Sequence, residues 1–222
     1  MQTQAGDDLI ERIRVHSADD AVVGPAANDL LSELFEGYPV ENLGRLLHSG
    51  DDGAVRTGTW LLSELGDLAA PMMSDVPDLL AHPLRHVRYY AIEVVLVNGD
   101  VQHGPTIAQV MNMSGDPDSA VRWKVLEFLA SATADQLVAG GAFLGAGQVR
   151  DLTEWLIRYE IEEPDPRDIV ARLEGHDPVT RLFAAAAAAR LSDEDTSLLE
   201  HAATVADEEI RSFAEQWLRD PR

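Results

Sequence analysis

Apolar positions recur along this chain at spacings of three and four, in runs broken by short polar stretches, and no segment sustains the alternation of a strand. That period predicts an all-α chain built of helix pairs. The pairs fall at 7–16 with 25–36, 39–48 with 54–66, 75–82 with 85–98, 105–113 with 119–131, 134–144 with 148–160, 166–174 with 178–191, and 193–204 with 207–219. Loops this short join antiparallel neighbours. Pro25 is placed at the first position of its helix, where a missing N–H costs nothing. Residues 1–6 carry no periodic signal and are expected to be disordered.

The second helix of each pair opens on a recurring shape, clearest as Asp51-Asp52-Gly53-Ala54-Val55-Arg56. Its echoes end in Arg88, Arg122, Arg150, Arg181 and Arg211, stepping by 32, 34, 28, 31 and 30 residues. A degenerate copy ends in Gly24, 32 residues before Arg56. The aspartates upstream are placed to cap the free N–H groups of each helix. A period near 30 is the signature of a stacked array. Counted from the marker arginine, position +3 reads Thr59, Ala91, Val125, Thr153, Ala184 and Ala214, small side chains suited to close helix contact. The six alanines 184–189 extend that property along one helix.

Composition narrows the functional classes. The chain carries 39 acidic against 17 basic side chains, a net charge of −22. Such a surface repels phosphate backbones and anionic lipid, so neither nucleic acid nor a membrane is expected as partner. It suits a basic protein, and it equally suits simple solubility or a high-salt habitat. Only one base is a lysine, Lys124, and there is no cysteine, hence no disulfide or thiolate metal site. With no signal-peptide pattern and no apolar span, the expected location is cytoplasmic. The seven histidines form no ligand cluster, so no metal and no cofactor are expected. His48, His82 and His176 stand near helix ends, placed to cap carbonyls. Gly140–Gly147 is rich in glycine but lacks the Gly-Lys-Ser/Thr ending of a phosphate loop and reads as a turn.

The Asp, the Val-Arg pair and the Pro-tolerant first helix resemble HEAT repeats and their bacterial HEAT-like relatives. The resemblance covers nearly all of 1–222. It implies one domain, a right-handed α-α superhelix (solenoid) of six to seven helix pairs, with second helices lining a concave face. It also implies that Arg56, Arg88, Arg122, Arg150, Arg181 and Arg211 are structural, bonding to neighbouring pairs. Gly24 in place of Arg, Arg85-His86 before Arg88, and the absent Asp before Arg150 depart from the pattern. The family includes the di-iron deoxyhypusine hydroxylase, but this chain has no His-Glu dipeptide. It also includes alkylpurine DNA glycosylases, whose basic groove this charge opposes, and phycobilin lyases, whose site nothing here specifies.

Positions +1, +5 and +8 point away from the packing face, at about 100°, 140° and 80° from the marker. They bring forward Tyr89, Glu93, Trp123, Glu127, Asp151, Trp155 and Arg158. Aromatics beside carboxylates make a hot-spot surface for a basic partner, provided superhelix twist does not bury the rings between pairs. The acidic, proline-stiffened loop 160–168 is a further surface for such a partner. The reading is a non-enzymatic protein-binding module, either an inhibitor such as a toxin-neutralising immunity protein or an adaptor scaffold. The alternative is a HEAT-like enzyme, glycosylase-like or lyase-like, acting in the concave groove.

Overall fold

Aspartate side chains start the second helices. Asp19, Asp51, Asp118, Asp177 and Asp207 each have extended backbone and accept a hydrogen bond from a backbone N–H two or three residues on. The computed structural model describes residues 4–159, 162, 165–193 and 195–220, and these contain helices, turns and no strand. The chain divides into two compact units, 1–98 and 99–222. Among the described residues no helix is long and apolar enough to cross a membrane.

The N-terminal unit holds α1 (Gln4–Val15), α2 (Asp20–Phe35), α3 (Gly44–Leu47), α4 (Asp52–Glu64), α5 (Val76–Leu80) and α6 (Arg85–Asn98). The second helices α2, α4 and α6 pack in chain order, and α1, α3 and α5 pack on their partners. Two expectations are corrected here. Residues 4–6 are helical, tied down because Asp7 accepts hydrogen bonds from the Tyr38 hydroxyl and from Arg45, both at 2.8 Å; residues 1–3 lie outside the described ones. Pro25 lies inside α2, because the cap on Asp19 starts the helix five residues earlier than expected. The lost backbone bond is offset by burial of Val23, Ala26, Ala27, Leu30 and Leu34.

The C-terminal unit holds α7 (Gly104–Asn112), α8 (Ser119–Ser131), α9 (Ala134–Gly141), α10 (Gln148–Arg158), α11 (Pro166–Leu173), α12 (Pro178–Arg190), α13 (Ser197–Ala202) and α14 (Glu208–Arg219). Here the packing departs from a simple stack. Helix α12 packs against α8, two pairs earlier, as well as α10, α11, α13 and α14. Its residues Leu182–Ala189 are all buried, so neighbours cover it on every side. Alanine lets that many helices approach one axis without clash. α10 departs differently. No aspartate precedes it, and its N-cap is Gly147, whose φ of 148° favours glycine and which has no side chain to cap the helix.

The marker arginines stand at the heads of consecutive second helices. Nη1 of Arg88, Arg122 and Arg181 donates to the carbonyls five and six residues back: Pro83 and His82, Pro117 and Asp116, His176 and Gly175. Three of them also reach another pair: Arg56 to Asp20, Arg122 to Glu209, and Arg181 to Asp207. Arg150 pairs with Glu154 of its own helix. The histidines do not cap carbonyls as expected. His48 Nε2 lies 2.7 Å from Asp75, and His82 Nδ1 accepts from the Leu84 N–H.

Two outcomes follow. Ala186→Leu, at a fully buried site, should lower the unfolding free energy by about 1–3 kcal/mol, whereas Ala171→Leu on the exposed side of α11 should change it by less than about 0.5 kcal/mol; urea denaturation measures both. Arg122→Ala should cost about 2 kcal/mol, because it strips two carbonyls and a part-buried carboxylate of their donor. Arg150→Ala should cost about 0.5 kcal/mol or less, since its pair is exposed.

Candidate partner-binding site

Helices α8, α12 and α14 bring their N-terminal ends together around a groove of about 460 Å³. Leu126, Leu182 and Ile210 give it an apolar lining, and Trp123 stands half-buried in its wall, edge-on to Phe213 at 6.2 Å and 71°. Arg122 and Arg181 also line it. Arg122 forks onto Glu209, with Nε 3.1 Å from Oε2. Arg181 places Nη2 2.7 Å and Nε 3.0 Å from Oδ2 of Asp207. Each guanidinium is therefore neutralised within the protein, and neither offers a free positive charge to a phosphate. Ser114 Oγ, in the same lining, is buried with no hydrogen-bond partner among the described residues.

The carboxylates at these helix heads stay ionised. Burial pushes the Asp207 carboxyl upward, but Arg181 and the N–H groups of Ile210 and Glu209 more than offset it and hold it below the usual range. Asp177 is likewise lowered: burial raises it, while Thr180, Gln148 and Arg181 outweigh that. Asp207 and Asp177 thus stay ionised through the ordinary pH range.

The expected surface residues separate into two groups. Trp123 lines the groove, and Asp151 and Arg158 are exposed on α10. Tyr89 and Glu93 are half-buried on α6 of the N-terminal unit, with Tyr89 edge-on to Tyr90 at 5.7 Å. Glu127 and Trp155 are not solvent-facing. Glu127 is 1% exposed and accepts from Lys124 Nζ at 2.8 Å. Trp155 is 3% exposed; its indole N–H donates to Asp168 at 2.7 Å, Arg172 lies over the ring at 4.5 Å, and Tyr159 meets it edge-on at 4.9 Å. The helical phase assumed one packing face per second helix. α8 is buried all round from Lys124 to Ala130, and α10 is covered by α12 and also reached by side chains of α11, so +5 points into protein. Replacing Glu127 by arginine would therefore disturb the core and would not report on a surface.

Burial is the largest influence on the Tyr159 hydroxyl, and with the hydrogen bond to Asp168 it pushes the group up to about 12. Asp168 is lowered in return; burial acts against this, but its bonds from Trp155, Arg172 and Tyr159 prevail. This Trp-Tyr-Asp-Arg cluster was not singled out in the sequence, although Asp168 and Arg172 stand at i,i+4 spacing. Trp60 was also missed, and with Tyr90 it lines a second groove, in the N-terminal unit. Of the acidic loop, residues 160, 161, 163 and 164 lie outside the described ones. Among the described residues no three His, Asp or Glu side chains converge on a metal-sized site. No protein-family model matches the chain, and no curated protein matches it.

The depressed Asp207 carries a pH dependence of definite sign. Its folded-state pKa lies below the unfolded value near 3.9, so its contribution is present above that value and is lost as pH falls through the folded one. Asn keeps the cap but cannot titrate. Asp207→Asn should be less stable at pH 7, and its melting temperature should fall less between pH 7 and pH 3 than that of the wild type.

Proposed function

We propose that this chain is a non-enzymatic protein-binding module for a basic partner, with its helix pairs arranged as a HEAT-like solenoid. On this reading it acts in the cytoplasm as a stoichiometric inhibitor, such as a toxin-neutralising immunity protein, or as an adaptor scaffold. The observation that carries the reading is Trp123: a half-buried indole in a groove wall, on a chain with net charge −22. Aromatic anchors of that kind dominate binding energy, and the surrounding negative charge accelerates approach of a basic partner. Asp151 and Arg158, exposed on α10 of the same unit, are further candidates for contact with it, and Tyr89 and Glu93 are candidates within the N-terminal unit. Both guanidinium groups in the groove are already matched, which disfavours an anionic substrate.

Affinity capture from native lysate with the wild type and with Trp123→Ala as parallel baits tests the proposal. The expected result is a protein of basic isoelectric point retained by the wild type and reduced at least tenfold on the variant, with association slowing as salt rises. Circular dichroism and a melting curve establish that the variant is folded. Retention of the same partner by both baits would remove Trp123 from the site, and a stoichiometric small molecule in place of a protein would replace the binding reading with an enzymatic one.

A further inference from the structure

We propose that the groove between α2, α4 and α6 receives an arginine side chain of the basic partner, held against Trp60 and Tyr90 and paired by Asp20. The inference rests on the basic-partner reading and assigns it a second contact, in the N-terminal unit.

Gly24 stands 32 residues before Arg56, and both lie five residues after a capping aspartate, Asp19 and Asp51. The position that carries an arginine in the other second helices is therefore empty of side chain in α2. The backbone does not require this, because Gly24 is not among the glycines with positive φ. Glycine within a helix is also unfavourable relative to alanine. What it leaves is room: a Cβ built at Gly24 would meet nothing within 4 Å. The resulting groove, about 400 Å³, is lined by Gly24, Ala27 and Asn28 of α2, Arg56 and Trp60 of α4, and Tyr90 of α6, with Asp20 beside them.

The chemistry of that groove matches a guanidinium. In the C-terminal unit the chain seats one of its own in the same company: Arg172 lies 4.5 Å over the Trp155 ring, with Nε 3.2 Å from Asp168 and Tyr159 beside the indole. Trp60, Tyr90 and Asp20 line the same groove as the open space at Gly24 and present the same three groups there, with the chain's own Arg56 on Asp20. Asp20 already accepts from Arg56 at 3.1 Å, yet its side chain is 85% exposed, so its carboxylate is open to a second cation. A planar guanidinium stacks on aromatic faces and pairs in-plane with a carboxylate, which a lysine ammonium cannot do together.

The test titrates the isotope-labelled full-length protein with an acetylated, amidated octapeptide of alternating glycine and arginine, and follows the indole N–H resonances of the four tryptophans by NMR. Trp60→Phe identifies the Trp60 signal. The expected result is a saturable shift of that signal, with affinity at least threefold above the lysine analogue. Gly24→Arg, which refills the groove with the repeat's own side chain, should reduce the affinity at least tenfold while leaving the melting temperature equal or higher. Gly24→Gln fills the same space without charge and should reduce it at least threefold. A Trp60 shift that persists unchanged in both Gly24 variants, or equal affinity for the lysine peptide, would overturn the assignment. If only Trp123 responds, the groove proposal falls and the basic-partner reading stands; if no resonance moves at physiological salt, both fall.

Discussion

A helix pair leaves carbonyl groups unpaired where its connecting turn ends, and in this protein a guanidinium answers them. Arg88, Arg122 and Arg181 each give Nη1 to two such carbonyls. In Arg122 and Arg181 the remaining nitrogens then engage a carboxylate at the head of α14, Glu209 and the capping Asp207. Arginine is the one side chain with enough rigidly spaced donors to do both. The bond therefore fixes the turn and the angle between pairs at once. It also explains why the capping aspartates are matched to arginines: Asp207 caps α14 with one oxygen and receives Arg181 with the other.

Much of this was legible in the chain itself. The helix boundaries follow the three-four spacing closely, and every +3 residue from Thr59 to Ala214 is buried as the close-packing argument requires. What escaped was the burial of the opposite side. The spacing of Lys124 and Glu127 reads as a surface pair on any isolated helix, and only the enclosure of α8 makes it internal. Trp155 likewise has no local signal for Asp168 and Arg172 arriving from α11. Trp123 could be recognised as an outward aromatic, but its groove is made by α12 and α14, far along the chain. Gly24 was visible as a break in the repeat; that it opens a space walled by Trp60 and Tyr90 needed the packing of α2 and α4 and the approach of α6.

Several basic side chains are occupied by contacts within the protein. The sole lysine is 6% exposed and bound to Glu127. Arg88, Arg122, Arg172, Arg181 and Arg190 donate to carbonyls or carboxylates within the protein at part-buried sites. Those six of the 17 bases are tied into contacts within the protein, and the field that an approaching molecule meets is set by the net charge of −22. The internal pairs carry a desolvation cost of their own, so their presence reflects the orientation they impose more than any net gain in stability.

The enclosure of α12 has a consequence for how the polypeptide comes off the ribosome. In an array where each pair touches only its neighbours, an emerging pair can dock as soon as it is made. Here α8 is complete long before residues 178–190 exist to cover it, and until then the Lys124–Glu127 pair and the apolar side chains around it lack their shelter. The C-terminal unit must therefore mature late and as one cooperative body, and a chain released before α12 would retain its earlier helices without the axis on which they close.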